Sequence, residues 1–94
     1  MISRQLELFE KDHAGLIREC EQAESAYDSA GRDEAEERFG DYQDLVETAT
    51  EILADARDYF AANLGEAAGE RYEAEFNRAV RKRLPRFALE LENR

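Results

Sequence analysis

A regular alternation of four- and three-residue steps between apolar or small side chains opens the sequence and constrains the fold more than any other feature. Side chains spaced in this way line one face of a helix that packs against other helices. One member of the series is polar, because His13 occupies a position that the pattern assigns to the core. The positions are Ile2, Leu6, Phe9, His13, Leu16, Cys20, Ala23, Tyr27 and Ala30. The pattern predicts a long first helix.

The same alternation returns after the segment YDSAGRDEAEE, which is typical of a turn between two helices. Gly31 is suited to a left-handed helix end, and Asp33 with Glu36 is typical of a helix N-cap. The core positions of the second helix are Ala35, Phe39, Tyr42, Val46, Ala49, Leu53, Ala56 and Phe60, with a further column at Leu45, Ile52 and Tyr59. An apolar stripe of this width needs two neighbouring helices.

A third helical face follows a stretch that contains two glycines. Gly65 or Gly69 can end the second helix and open the third. Each costs only about 1 kcal/mol inside a helix, so a continuous second and third helix, covered by dimerisation, stays open as an alternative. Pro85 has no N–H for the carbonyl of Arg81, so we expect it to kink the third helix. The core positions here are Tyr72, Phe76, Ala79, Val80, Leu84, Phe87 and Leu91.

Together the three segments predict an all-α fold, an up-down-up antiparallel three-helix bundle with coiled-coil packing and a kink at Pro85. At 94 residues, the chain is long enough for one domain, 1–94. The single cysteine allows no internal disulfide, and we find neither a membrane span nor an export signal, so we expect a cytoplasmic protein. Aromatic side chains at Tyr59, Tyr72 and Phe87 exceed what three helices cover, which favours a homodimer.

Three polar or polarisable residues, His13, Cys20 and Thr50, fall on or beside the predicted core. The residues expected to face His13 are small, including Ala49 and Ala79. We therefore expect a buried imidazole that hydrogen-bonds Thr50 or a neighbouring acid and fixes the register of the helices. Cys20 is expected to act as a small buried hydrophobe, because no base lies at a suitable position within one turn of it.

Glu10 and His13 form an E-x-x-H pair, a spacing that di-iron helical bundles use. The stretch LFEKDHAGLI around them resembles the first helix of hemerythrin-like proteins, and this resemblance implies an iron site. A di-iron centre needs further carboxylates or histidines from a second helix, and the core positions of the second helix carry none. We expect no metal and no other cofactor, and metal binding by Glu10 and His13 is the second alternative function.

The stretch NRAVRKRLPRF, from Asn77 to Phe87, is basic in a chain whose formal charge is −10. Its cations are Arg78, Arg81, Lys82, Arg83 and Arg86. One interpretation is internal charge balance, in which Arg83 reaches a carboxylate such as Glu19 or Glu21. The other is a patch that binds an anionic partner. Residues 1–66 carry eighteen acids against six bases and repel a phosphate backbone, so nucleic acid is not the expected partner.

No phosphate-binding loop, nucleophile motif or zinc-ligand spacing occurs in the sequence. We therefore expect a protein without catalytic activity, an interaction module or assembly subunit that binds an unidentified protein partner. The alternative is binding of an acidic protein or nucleic acid through residues 78–86. The inverse interpretation is that the acidic faces of the first two helices contact a basic partner.

Overall fold

The computed structural model describes residues 1–94 and contains five helices and no strands. They are α1 (Ile2–Asp12), α2 (Ala14–Asp28), α3 (Ala35–Ala62), α4 (Glu66–Arg83) and α5 (Pro85–Glu92). The central element is α3, because it packs against α2, α4 and α5. The molecule is elongated, with extents of 50 × 24 × 18 Å. The predicted all-α class is confirmed, but two of the three predicted helices are broken, so the chain has five.

The first break is at His13, where the predicted first helix divides into α1 and α2. The backbone of His13 has φ −121° and ψ 30°, outside the helical region, although its N–H still donates to the carbonyl of Phe9 at 2.9 Å. Beyond the break α1 lies against α4, where Gln5 accepts a hydrogen bond from the Tyr72 hydroxyl at 2.5 Å. The break therefore sets the direction of α1 independently of α2.

The second break is at Leu84 and is sharper than the predicted kink at Pro85. One guanidinium nitrogen of Arg57 donates both to Asn77 Oδ1 and to the carbonyl of Leu91, at 3.0 and 3.1 Å. In a continuous helix those two residues would be separated by about 21 Å. The chain therefore doubles back, and Pro85 starts a new helix at a position where its missing N–H costs nothing. The expected single kinked helix is corrected to α4 followed by α5.

The turn between α3 and α4 contains the only residue with a positive φ, Gly65 at 84°. α3 ends at Ala62 and Gly65 is the N-cap of α4, so the second and third predicted helices are separate. The turn before α3 differs from the prediction: α2 ends at Asp28, Gly31 does not adopt a left-handed conformation, and no side chain caps the start of α3. The expected capping pair of Asp33 and Glu36 is therefore not formed.

The core contains fifteen buried apolar residues drawn from all five helices. In α4, α5 and the joint between them, the buried residues agree with the predicted third apolar face at all but two positions. Ala79 was predicted to be buried and is half-buried, and Ala88 was not predicted and is buried. Tyr72 and Phe87 are buried, which removes two of the three aromatic residues that favoured a homodimer. Buried members are Leu6, Phe9, Cys20, Val46, Ala49, Leu53, Ala54, Ala61, Tyr72, Phe76, Val80, Leu84, Phe87, Ala88 and Leu91.

The buried face of α3 departs from the predicted heptad towards its C-terminus. Tyr59 is 69% exposed and Phe60 40% exposed, whereas Arg57 and Ala61 are buried. A straight helix has 3.6 residues per turn, so its inward face drifts by about 20° per heptad relative to a strict 3.5-residue repeat. Over the length of α3 this drift moves the inward face from Leu53 to Arg57, one place beyond the predicted Ala56.

Arg57 is a buried cation that connects three helices, with only 3% of its surface exposed. Its Nε donates to Asp58 Oδ1 at 2.9 Å, next to it on α3. Its Nη1 donates to the Asn77 side chain on α4 and to the Leu91 carbonyl on α5. Because a buried charge is costly without partners, these bonds fix α4 and α5 against α3 at the reversal.

Substitution of Gly69 tests the close approach of α3 and α4. A Cβ at this position would lie 2.7 Å from the carbonyl oxygen of Ala61, so we expect Gly69→Ala to lower the free energy of unfolding by about 1–3 kcal/mol. Gly40, inside α3, has no atom within 4 Å of a built Cβ, so Gly40→Ala should raise it by about 0.5–1 kcal/mol. Urea denaturation of both variants measures the difference, and equal effects would contradict the close packing.

Substitution of Arg57 tests its connecting role. Arg57→Met keeps an unbranched chain but leaves Asn77 Oδ1 and the Leu91 carbonyl without their donor, so we expect a loss of about 1–3 kcal/mol in the free energy of unfolding. Arg38→Met is the matched control, because Arg38 is 45% exposed and its nearest carboxylate oxygen is 3.9 Å away. The control should change stability by less than about 0.5 kcal/mol. If Arg57→Met lowers the free energy of unfolding no more than Arg38→Met does, Arg57 does not connect the three helices.

Candidate functional site

An open apolar groove lies between α1 and α3, beside the helix break at His13. Its floor consists of the buried side chains of Phe9, Leu53 and Phe76. It encloses about 240 Å³, and seven of its ten lining residues are hydrophobic. The lining residues are Gln5, Leu8, Phe9, Asp12, His13, Ile52, Leu53, Ala56, Phe60 and Phe76. We call this feature the α1–α3 groove.

The groove exists because the break at His13 directs α1 onto α4 and leaves one flank of α3 uncovered. Along that flank Ile52, Ala56 and Phe60 follow one another at four-residue spacing and share one side of the helix. Ile52 is half-buried, Ala56 is exposed and Phe60 keeps 40% of its surface. On the opposite wall Leu8 of α1 is 46% exposed. The sequence assigned Ala56 and Phe60 to the core, and the structure corrects both.

His13 forms part of the groove wall and is only half-buried. Its ring lies against that of Phe9, with centroids 5.3 Å apart. The expected hydrogen bond to Thr50 is not formed: the Thr50 hydroxyl is buried and donates instead to the carbonyl of Val46 in its own helix, at 2.7 Å. The prediction of a core imidazole is wrong because the helix ends at His13 and its side chain reaches the surface.

The E-x-x-H pair is not arranged as a ligand set. Glu10 accepts a hydrogen bond from Arg83 Nε at 2.8 Å. His13 lies in the wall of the α1–α3 groove with its ring against Phe9, whereas Glu10 is engaged by Arg83. No group of three or more histidine, cysteine, aspartate or glutamate side chains is arranged to hold a metal ion.

Three of the five cations in the basic stretch are paired with acids on other helices. Arg83 pairs with Glu10 of α1, rather than with the expected Glu19 or Glu21 of α2, because the reorientation of α1 brings Glu10 to α4. Arg81 pairs with Glu92 of α5. The third pair is Arg86 with Glu24, at 2.9 Å. Arg78 and Lys82 have no carboxylate partner.

Arg86 belongs to a small polar cluster between α2, α3 and α5. Its Nε donates to the Tyr42 hydroxyl at 3.2 Å, and that hydroxyl lies 3.4 Å from the second oxygen of Glu24. Burial alone would lower the pKa of Arg86, but its bonds to Tyr42 and Glu24 outweigh burial and raise that pKa. Arg86 therefore stays charged, and its bonds join α5 to α2 and α3.

The outward side of α3 carries a row of carboxylates that we call the acidic ridge. All of its members are exposed, and their spacing of three or four residues places them along one side of the helix. They are Asp41, Asp44, Glu47, Glu51, Asp55 and Asp58. Only Asp41 and Asp58 lie within ion-pair distance of a cation. The remaining four carboxylates face solvent, and Glu51 and Asp55 flank Ile52 of the α1–α3 groove.

A second, shallower apolar patch lies at the opposite end of α3. Tyr27 and Phe39 are 39% and 45% exposed, and their rings are 5.4 Å apart between centroids. Leu89 of α5 is 76% exposed and lines the same depression as Phe39. These side chains lie on the surface around a depression that, unlike the α1–α3 groove, has no floor of buried aromatic rings.

Sequence reasoning identified the residues of the groove but not the groove. Phe9, His13, Leu53 and Phe60 were all assigned to core positions of a continuous seam. Nothing in that pattern places the helix break at His13, although Gly15, which favours the helix poorly, follows two residues later. Arg57 was missed as well. The signal was present in the alanines Ala54 and Ala61, which lie three residues before it and four after it on one face.

No family of proteins, no curated protein and no solved structure matches this chain. None of its helices has the length and apolar character required to cross a bilayer. The functional interpretation therefore depends on the geometry of the chain itself.

Cys20 gives a test of the buried interface between α2 and its neighbours. The thiol has no exposed surface, and burial raises its pKa. The unfolded chain therefore releases the thiol proton at a lower pH than the folded chain. This contribution to stability is complete below the ordinary thiol pKa of about 8.5 and is lost as the pH rises above it.

We expect the free energy of unfolding to fall between pH 7 and pH 10 in the native chain and to fall less in Cys20→Ala. Urea denaturation at both pH values measures the two slopes. Tyr72, whose pKa is also raised by burial, adds a loss at higher pH that both proteins share. Identical slopes would show that the thiol is accessible to solvent.

Proposed function

We propose that this protein is a helical interaction module that binds a helical segment of a protein partner in the α1–α3 groove. The observation that carries the proposal is an apolar surface with a buried aromatic floor and walls that remain open to solvent. Contiguous apolar surface of this kind on a small protein is a mark of a binding site. Partner side chains placed there would be buried and would also cover Leu8 and Phe60.

The dimensions of the groove fit one face of a helix. The wall from Ile52 to Phe60 extends along α3 for about 12 Å. An amphipathic helix that docks in a groove presents apolar residues at i, i+3 or i+4 and i+7, which span about 10 Å. The volume of about 240 Å³ is too small for a whole helix and suits the side chains that such a helix inserts.

The anionic-partner alternative has less support in the geometry. Arg81, Arg83 and Arg86 of the basic stretch are engaged by acids of α5, α1 and α2. Only Arg78 and Lys82 remain to contact an anion. Two exposed cations beside many carboxylates form a weak site, because water and salt screen them. The groove therefore supports the interaction-module function better than the basic stretch supports the alternative.

Partner binding in the groove is tested by replacing Phe60 with a photo-crosslinking amino acid, in cells that naturally produce the protein. We expect a covalent adduct with a partner protein from position 60, which lies on the groove wall. The matched control carries the same amino acid at Leu89, an exposed position at the other end of α3. The purified partner should then bind Phe60→Asp at least about tenfold more weakly than the native protein.

Phe60→Asp is checked for folding by circular dichroism and urea denaturation, and Leu8→Asp supplies a second groove variant on a different helix. Leu89→Asp is the control for an introduced acid. The proposal is wrong if the adduct forms from position 89 and not from position 60. It is also wrong if folded Phe60→Asp and Leu8→Asp both bind the partner as the native protein does.

A further inference from the structure

We infer that the segment bound in the α1–α3 groove is a basic amphipathic helix, one whose apolar face is flanked by lysine or arginine. The inference rests on the proposed function and specifies the chemistry of the partner. It follows from the charges that surround the groove, which are independent of the apolar surface inside it.

The rim of the groove is acidic on the α3 side. Glu51 and Asp55 are exposed, lie beside Ile52 and Ala56 on the helix, and have no cation partner within ion-pair distance. Further along α3, Asp44 and Glu47 continue the unpaired part of the acidic ridge. At the α1 end Asp12 itself lines the groove. A partner cation at the edge of the apolar contact therefore meets carboxylates on both sides.

No lysine or arginine lines the groove. Arg4 and Lys11 of α1 lie within one turn of Leu8 on that helix but outside the groove lining, so the α3 side of the rim is the side without a nearby exposed lysine or arginine. Three cations of the basic stretch, Arg81, Arg83 and Arg86, are engaged by acids of α5, α1 and α2. No ion pair of the chain neutralises Glu51 or Asp55 on the α3 side of the rim, and a basic partner supplies the missing cations.

The geometry lets one helix use both features. A helix seated over Ile52 and Phe60 inserts residues at i, i+4 and i+7, and its positions on either side of that face pass over the rim. Long lysine and arginine side chains at those positions reach Asp12 on one side and Asp55 on the other. Such charges speed association and set the orientation of the bound helix more than they add affinity.

A second copy of this chain is the weaker candidate for the groove. Each copy carries a formal charge of −10, so two copies repel each other at low ionic strength. The exposed cations of α4 that could face the ridge of another copy, Arg78 and Lys82, lie on a helix whose apolar face is already buried through Tyr72, Phe76 and Val80. No exposed apolar stripe accompanies them.

Three synthetic 18-residue helices test the inference, all with the same leucine face at i, i+3, i+4 and i+7. Their remaining positions are lysine and arginine in the first, glutamine in the second and glutamate in the third. We expect the basic helix to bind the full-length protein at least tenfold more tightly than the glutamine helix, and the glutamate helix to bind least. Fluorescence anisotropy at low and physiological salt measures the three affinities.

Groove variants separate binding in the groove from general attraction to an acidic protein. Phe60→Asp and Leu8→Asp make the protein more acidic, so general attraction would strengthen, whereas docking in the groove should weaken at least tenfold. The rim is tested with the double variant Asp12→Asn and Asp55→Asn, for which we expect a weakening of about threefold to tenfold. Asp28→Asn with Asp33→Asn removes the same charge from the exposed end of α2 and the segment after it, and should change the affinity by less than twofold.

The outcomes distinguish the inference from the proposed function. If the glutamine helix binds as tightly as the basic one and both are lost in Phe60→Asp, the charge inference is overturned while the groove function stands. If the basic helix binds Phe60→Asp and Leu8→Asp undiminished, the groove is not its site and the inference falls. If no helix binds, the inference is overturned, and photo-crosslinking from position 60 still decides the function.

Discussion

The arrangement of the helices depends on one buried cation. Arg57 is buried where α3, α4 and α5 meet, and its guanidinium satisfies an amide oxygen on α4 and a carbonyl near the end of α5. Burying the guanidinium costs several kcal/mol unless its N–H groups are bonded, so the acceptors on α4 and α5 add to the neighbouring Asp58. Both acceptors reach Arg57 because the chain reverses at Leu84. Pro85 permits the reversal by ending α4, and Arg57 determines where the returning helix lies.

The groove arises from a comparable local event at the other end of the chain. A helix that continued through His13 would cover the flank of α3 that carries Ile52 and Phe60, as the heptad pattern predicts. The break instead places α1 on α4, where Arg83 and Tyr72 bond to Glu10 and Gln5. These two hydrogen bonds hold α1 against α4, and the uncovered flank of α3 becomes the proposed site.

The sequence predicts the parts of this molecule in which periodicity alone decides the outcome. It identifies the all-α class, the length of α3, the glycine that separates α3 from α4, and the buried face of α4 and α5. It fails where a competing interaction decides, as at Leu84, where a hydrogen-bonded arginine turns a kink into a reversal. It also fails along α3, where a 3.6-residue helix departs from a 3.5-residue repeat and moves Arg57 inward and Tyr59 outward. The groove could not be predicted, because it depends on the direction of α1 after a break that has no strong signal.

The distribution of charge follows from the same packing. Folding brings Arg81, Arg83 and Arg86 to acids of three different helices, and none of these acids belongs to α3. These three arginines are therefore paired within the fold, while Asp44, Glu47, Glu51 and Asp55 of the acidic ridge on α3 keep no cation partner. A chain with the same composition and unpaired arginines would present both signs beside the groove and would discriminate little between partners. Here the α3 side of the groove carries carboxylates alone, so the pairing that stabilises the fold also contributes to the electrostatic character of the site.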